Sequence, residues 1–189
     1  MPDETGQPIF YLDVNVILDV VELRRDASSE VLGVIRENQW SAVTSPFSIL
    51  ELLEAKKSDK WAENLLRRGL SFFQVQRRLG ERRTGRSSLS RQSLNEVYQD
   101  LQTALQPISE LFTIPSPTSS LMNRAEDISA STNIEATDVF HLSTAIEYGC
   151  DILVSGDNDF VKMAQGYIIA VLPERLERGL EEFRQRPIS

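Results

Sequence analysis

Short apolar runs alternate with segments of helical periodicity along this 189-residue chain. Runs this short and this poor in polar residues are typical of strands buried on both faces of a parallel sheet. The pattern predicts an α/β fold, a three-layer α/β/α arrangement around a central, mainly parallel five-stranded sheet. The five predicted strands are Ile9–Leu12, Trp40–Thr44, Leu111–Ile114, Ile152–Ser155 and Ile168–Val171.

Composition excludes several classes of protein. With 41% hydrophobic residues the chain can bury a core, but it contains only one cysteine, Cys150, and one histidine, His141. A disulfide framework, a cysteine zinc site and a paired-histidine mechanism are therefore excluded. Neither GxxxxGK[ST] nor GxGxxG occurs. No apolar stretch is long enough to span a membrane, and no secretory signal pattern is present, so we expect a cytoplasmic protein.

The charge is unevenly distributed. The net charge of −8 is unusual for a protein that binds nucleic acid. Residues 65–91, however, contain eight arginines and only one acid, Glu81. We call this stretch the arginine segment, and expect it to contact the phosphates of a nucleic acid or an acidic partner, or to form a solvated helix face. Its candidate contact residues are Arg77, Arg78, Arg82, Arg83 and Arg86.

Carboxylates follow the predicted strands or lie on the adjoining helices. Asp13 follows the first strand, and Asp157 and Asp159 follow the fourth. Glu51 lies on the helix after the second strand, and Asp138 opens the helix before the fourth. Because functional sites of parallel sheets form at the carboxyl ends of the strands, we expect these side chains to meet at one edge.

Two of these carboxylates occupy positions with apolar neighbours. Asp138 shares a helix face with Leu142 and Ala145, and Glu51 lies among large apolar residues. A single aspartate at such a place is most often a helix cap or turn former. Several carboxylates together need a cation, and hard oxygen ligands favour Mg²⁺ or Mn²⁺. The sequence therefore predicts a metal site.

Four segments together resemble PIN-domain ribonucleases, and most closely the VapC-like toxins of toxin–antitoxin pairs. They read YLDVNVILDV, TSPFSILELLE, ATDVFHLSTAIEYGCDILVSGDNDF and IIAVLPERL. The resemblance covers about residues 9–57 and 111–176. It implies one PIN-like domain over residues 1–189, with a divergent, Arg-rich helical insertion at about 58–110.

The resemblance also implies an activity and a set of site residues. The activity is a metal-dependent endoribonuclease that hydrolyses RNA phosphodiester bonds, with Mg²⁺ or Mn²⁺ as cofactor. Family members often form homodimers and are blocked by an antitoxin protein. The residues carried over by motif are Asp13, Glu51, Asp138 and Asp157 as catalytic metal ligands, Asp159 as an accessory ligand, and Asn15 and Ser155 as residues that orient the acids.

The chain departs from the family pattern at three places. Val14 replaces the usual threonine or serine after the first aspartate, which puts one supporting hydrogen bond in doubt. Glu54 competes with Glu51 as the helical ligand, and the spacing from Ser45 favours Glu51. The 58–110 segment does not align with the toxin type.

Two other functions stay open at this point. The first is a catalytically weak PIN-like module that binds RNA or protein, which the Val14 departure allows. The second is a metal-dependent phosphatase, although the Asp-x-Asp nucleophile motif of such enzymes reads Asp13-Val14-Asn15 here.

Four further residues have alternative interpretations. His141, one turn after Asp138, is expected to pack rather than to react. Cys150 is expected to be buried and inert. Phe72 and Phe73 either stack on bases or pack in the core.

Overall fold

The computed structural model describes residues 6–81 and 89–186. Within them, four parallel strands form a sheet in the order β2–β1–β3–β4. Phe10 of β1 pairs with Ala42 and Ile152, and Leu153 pairs with Ala170. The predicted α/β class with a parallel sheet is confirmed. The strands are β1 (Ile9–Leu12), β2 (Ser41–Val43), β3 (Ile152–Val154) and β4 (Ile169–Val171).

The strand predicted at Leu111–Ile114 is wrong. In the Leu111–Ile114 segment, Thr113 makes an isolated parallel bridge with Val43. The Thr113 N–H donates to Ala42 O at 2.8 Å, and the Thr44 N–H donates to Thr113 O at 3.0 Å. Pro115 has no backbone N–H, so the hydrogen bonds with β2 cannot continue beyond the bridge at Thr113. The segment touches the edge of the sheet at one residue, and the predicted five-stranded sheet has four strands among the described residues.

Helices account for most of the remaining described chain. The helix Ala136–Glu147 ends two residues before Gly149, whose φ of +65° suits glycine. A short 3₁₀ helix, Pro173–Arg175, precedes the last α-helix. The α-helices are α1 (Val14–Val21), α2 (Asp26–Glu37), α3 (Pro46–Arg67), α4 (Phe72–Glu81), α5 (Arg91–Leu105), α6 (Ser119–Ser131), α7 (Ala136–Glu147), α8 (Asn158–Ala164) and α9 (Leu176–Arg184).

Helices cover both faces of the sheet. Tyr11, Leu153 and Ala170 belong to a buried apolar cluster that includes residues of α6, α7 and α8. Side chains alternate along a strand, so Ile152 and Val171 point to the opposite face. α9 packs there at Gly179, where an added Cβ would lie 3.1 Å from a Val171 methyl carbon. The sheet is therefore the middle layer of three.

α3 is longer than the sequence pattern predicts. The pattern places its end near Lys57, but the helix continues to Arg67. Lys57 and Lys60 make ion pairs along the helix with Glu54 and Glu63. The lysines therefore belong to a charged helix surface, and the chain turns at Gly69, which has a φ of +86°.

The chain divides into two compact units. Of the described residues, 6–49 and 108–186 form the first unit, which holds the whole sheet, and 50–81 and 89–107 form the second. The second unit buries Leu65, Val75, Val97 and Leu101. Its helices α3 and α5 are joined by an ion pair of 2.8 Å between Lys60 Nζ and a Glu96 carboxylate oxygen.

No helix in the described ranges is both long enough and apolar enough to cross a membrane.

Candidate active site

Asp13 lies where β1 ends and α1 begins, and its side chain is 3% exposed. Its Oδ1 accepts a hydrogen bond of 2.7 Å from the Val14 N–H. Its Oδ2 accepts one of 2.6 Å from the Ser155 hydroxyl. Val14 has no hydroxyl to offer, but Ser155 provides one from the end of the neighbouring strand. The carboxylate is thus held in one orientation from two sides.

Asp157 lies three residues beyond the end of β3 and caps α8. Its Oδ1 accepts the backbone N–H groups of Asp159 at 2.8 Å and Phe160 at 3.1 Å. The Asp157 N–H donates to the Ser155 hydroxyl oxygen at 3.0 Å. Ser155 therefore bridges the Asp13 carboxylate and the Asp157 backbone. Both aspartates serve as helix caps, as a single aspartate at such a position usually does, and both lie at the carboxyl ends of adjacent strands.

Asp138 lies in the first turn of α7 and is partly buried. Burial, together with the negative charges of Asp13 and Asp157, raises the pKa of its carboxyl to about 6, while His141 acts in the opposite direction. The electrostatic effect shows that the three carboxylates share one neighbourhood. A negatively charged neighbourhood of this kind favours a bound cation.

A buried Tyr11–His141 pair lies behind Asp13. The Tyr11 hydroxyl and His141 Nδ1 are 2.6 Å apart, and His141 Nε2 is 4.0 Å from Asp13 Oδ1. Burial raises the pKa of the Tyr11 hydroxyl well above its usual value, and the negative charge of Asp13 adds to this effect. The Tyr11 hydroxyl also hydrogen-bonds Ser48, whose Oγ accepts from Thr44 at 2.9 Å. A group of buried polar side chains therefore lies behind Asp13 inside the core.

These side chains offer oxygen atoms, which are the donors that a hard cation prefers, but they do not meet at one point. Asn15 Oδ1 is buried and has no hydrogen-bond partner among the described residues. An unpaired buried amide oxygen two residues after Asp13 is a donor of the kind that Mg²⁺ and Mn²⁺ select, often through bound water. In the described part of the chain, however, no three acidic, histidine or cysteine side chains come close enough to hold one ion.

The other predicted ligands have less distinctive surroundings. Asp159 is 85% exposed on its side chain and pairs with Lys162 at 3.0 Å. Glu51 is partly buried in the second turn of α3, within the second unit. Glu54, its rival, is 65% exposed and paired with Lys57. The choice of Glu51 over Glu54 stays a prediction from the sequence.

Part of the arginine segment lies outside the described residues. Arg82, Arg83 and Arg86 lie there, whereas Arg77 and Arg78 are exposed on α4. Phe72 and Phe73 are 67% and 87% exposed, so the interpretation that both pack in the core is wrong.

Cys150 and His141 are buried, as expected. Burial raises the pKa of the Cys150 thiol, which keeps it protonated and unreactive. Two contacts were not predicted from the sequence. One is the hydrogen bond between His141 and Tyr11, and the other is the approach of the Arg25 guanidinium to Gly156 in the loop after β3. No local motif marks either contact, since each joins residues more than a hundred positions apart.

The parallel sheet lies between two layers of helices, and aspartates lie at the ends of β1 and β3 and at the start of α7. This combination defines the class of protein to which the chain belongs. The model of the PIN domain family matches residues 10–166. This match covers most of the chain, and the chain therefore belongs to the PIN domain family.

Solved structures share the fold at low sequence identity. VapBC2 from Rickettsia felis, bound to a DNA fragment from its promoter, is 15% identical with a TM-score of 0.55, covering 87% of this chain and 98% of that chain. FitAB bound to an IR36 DNA fragment is 14% identical with a TM-score of 0.50, covering 87% and 94%. FitAcB from Neisseria gonorrhoeae is 16% identical with a TM-score of 0.49, covering 87% and 98%. No curated protein is significantly similar in sequence.

Proposed function

We propose that the protein is a metal-dependent endoribonuclease that hydrolyses RNA phosphodiester bonds. The observation that carries the proposal is the placement of Asp13 and Asp157 at the ends of adjacent strands, where Ser155 bonds to both. Asp138 lies close enough for their negative charges to add to the effect of burial on its raised pKa. PIN domains are generally nucleases, and membership of that family supports the reaction class.

The proposed ligands are Asp13, Asp138 and Asp157, with Glu51 as the fourth carboxylate and Asp159 as an accessory acid. The roles of Glu51 and Asp159 rest on the sequence resemblance. When bound, Mg²⁺ or Mn²⁺ supplies a water of lowered pKa and positive charge against the phosphate.

The chain's own side chains hold the reacting groups in place. Ser155 orients Asp13 through the bond of 2.6 Å, and the backbone of α8 fixes Asp157 Oδ1. Asn15 Oδ1 is a buried acceptor for a proton of a bound water. Hydrolysis by attack of water leaves a 5′-phosphate and a 3′-hydroxyl.

Incubation of the purified protein with a total RNA pool tests the proposal. We expect cleavage with Mg²⁺ or Mn²⁺, loss of cleavage with EDTA, and loss in Asp13→Asn and Asp157→Asn. Asp127→Asn is the matched control, since this exposed acid lies on α6 and outside the motif set. Sequencing of the new ends identifies the cleaved RNA. Cleavage that survives EDTA, or that survives both site substitutions, refutes the proposal.

A second candidate is a PIN-like module that binds RNA or protein with weak or no catalysis. The observation that favours it is the absence, within the described residues, of three donors close enough to share an ion. RNA retention without turnover under any divalent cation would support this alternative.

We also propose the role of a toxin that forms a homodimer and is blocked by an antitoxin. The shared fold with the VapBC2 complex supports this role. Induced expression in a bacterial host should arrest growth with the wild-type chain and not with Asp13→Asn. Sedimentation of the purified chain measures the oligomeric state.

A further inference from the structure

Arg25 lies in the turn between α1 and α2, and its side chain reaches the loop that follows β3. A Cβ added to Gly156 would lie 3.4 Å from a terminal guanidinium nitrogen of Arg25 and 3.4 Å from Cβ of Asn15. Gly156 separates Ser155 from Asp157, which are the two site residues of that loop. A positive group is therefore packed against the acidic edge of the sheet.

Two acids anchor the Arg25 guanidinium. Asp19 is 6% exposed, and its Oδ2 accepts a hydrogen bond of 2.9 Å from the Ser28 hydroxyl. Arg25 Nε is 3.6 Å from the same oxygen, and Arg25 Nη1 is 3.8 Å from a Glu174 oxygen. The guanidinium is thus positioned by charge from a buried carboxylate on one side and a surface carboxylate on the other.

These anchors leave hydrogen-bonding capacity at the guanidinium. Both ion-pair distances exceed the usual length of a hydrogen bond, and a guanidinium has five N–H donors. The Arg25 side chain is also 48% exposed. The guanidinium N–H groups that Asp19 and Glu174 leave without a hydrogen bond can therefore donate to an anion at the carboxyl edge of the sheet.

We propose that Arg25 binds a backbone phosphate of the RNA strand beside the Asp13–Asp157 site. The planar guanidinium matches the geometry of a phosphate, and its positive charge offsets the repulsion between the strand and the carboxylates. The small Gly156 leaves room for the guanidinium at the loop. This proposal rests on the proposed nuclease function and assigns one contact of its substrate.

A purely structural role for Arg25 makes different predictions. In that case, Arg25 would only tie the α1–α2 turn to the 3₁₀ helix that contains Glu174. Removing either Arg25 or Glu174 would then lower stability and leave RNA affinity unchanged. A phosphate contact predicts opposite effects on RNA affinity, because Glu174 competes with phosphate for the guanidinium.

Binding of a fluorescein-labelled single-stranded RNA of about 20 nucleotides, followed by fluorescence anisotropy, distinguishes the two roles. The full chain carries Asp13→Asn throughout, so that no RNA is cleaved. Arg25→Gln is compared with Arg24→Gln, a neighbouring arginine with the same 48% exposure that pairs with Glu22. Thermal melting of each variant verifies that it folds. If Arg25→Gln does not fold, Arg25→Lys, which retains the positive charge, is compared with the parent instead.

We expect Arg25→Gln to weaken binding by roughly 10–100-fold, the range for a charge-assisted hydrogen bond. For Arg25→Gln, the slope of log affinity against log salt concentration should also be less steep by about 0.7. This is the value for one phosphate contact with a single strand. Arg25→Lys should bind with intermediate affinity, and Glu174→Gln should bind more tightly than the parent. Arg24→Gln should change affinity by less than about twofold, since it has no phosphate contact to lose.

Equal affinities for Arg25→Gln and Arg24→Gln overturn the proposal, as does a parent protein that does not bind RNA. The nuclease function is judged separately, by cleavage with the wild-type chain. An Arg25 effect on binding in a protein that cleaves no RNA would refute the nuclease and retain the phosphate contact. Cleavage by the wild type with no Arg25 effect would refute the contact alone.

Discussion

The raised pKa of Asp138, to about 6, makes its carboxylate a source of instability in the metal-free protein. We expect Asp138→Asn to increase the free energy of unfolding at pH 7 by about 1 kcal/mol, since solvent screens a half-exposed group and the α7 N-terminus offsets part of the cost. For a chain of this size that corresponds to a rise in Tm of about 2–4 °C. Thermal melting in EDTA measures it.

The pH dependence of this difference has a defined sign. The folded pKa lies above the ordinary value of 3.8, so the folded state keeps a proton that the unfolded state has lost between about pH 4 and pH 6. The wild type therefore loses stability relative to Asp138→Asn as the pH rises through this window. Asp127→Asn, the exposed control, should stay within about 0.5 kcal/mol of the wild type. A variant less stable than the wild type at pH 7 would contradict the assigned cause.

At the scale of residues, the sequence predicted which acids stand at the strand ends, since that follows from where the apolar runs stop. It did not predict the partners of those acids. The bonds of Ser155 to Asp13 and of His141 to Tyr11 each join residues more than a hundred positions apart. The parallel pairing of β1 with β3 brings Ser155 to Asp13, and the packing of α7 against the sheet brings His141 to Tyr11. No local spacing encodes either arrangement.

At the scale of elements, four strands were predictable because each is buried on both faces. The Leu111–Ile114 prediction failed because one bridge at Thr113 satisfies the edge of β2 and Pro115 prevents a longer ladder. The α3 prediction failed because lysines that pair with glutamates along the helix resemble the basic residues of a helix end. In both cases the outcome depends on neighbours that a local pattern does not contain.

Two helical glycines differ in what their helices pack against, and this contrast is testable. A Cβ at Gly33 of α2 meets no atom within 4 Å, whereas one at Gly179 of α9 meets Val171 at 3.1 Å and Ile152 at 3.5 Å. We expect Gly33→Ala to stabilise the protein by about 0.5–1 kcal/mol, through a smaller loss of backbone entropy. Gly179→Ala should destabilise it by about 1–3 kcal/mol, the cost of overpacking a core. Urea unfolding measures both, and equal effects would show that α9 adapts to the extra methyl.

At the scale of the whole molecule, the net charge of −8 combines two regions of opposite charge. Part of the negative charge lies in the carboxylates at the end of the sheet, where a bound cation would neutralise it. Positive charge is concentrated in the arginine segment, whose described part includes Arg77 and Arg78 beside the exposed Phe73 on α4. The net charge alone therefore does not decide whether the protein binds RNA.

The double variant Arg77→Gln with Arg78→Gln tests whether α4 contacts the RNA backbone. We expect the dependence of log affinity on log salt to fall by about 1.4 in fluorescence anisotropy, because each lost phosphate contact contributes about 0.7. The control is Arg178→Gln with Arg184→Gln on α9, which removes the same charge from another exposed helix. Equal salt dependence in the two double variants would assign Arg77 and Arg78 to a solvated helix face. A larger loss in the α4 variant requires direct contact, because a change in overall charge is common to both.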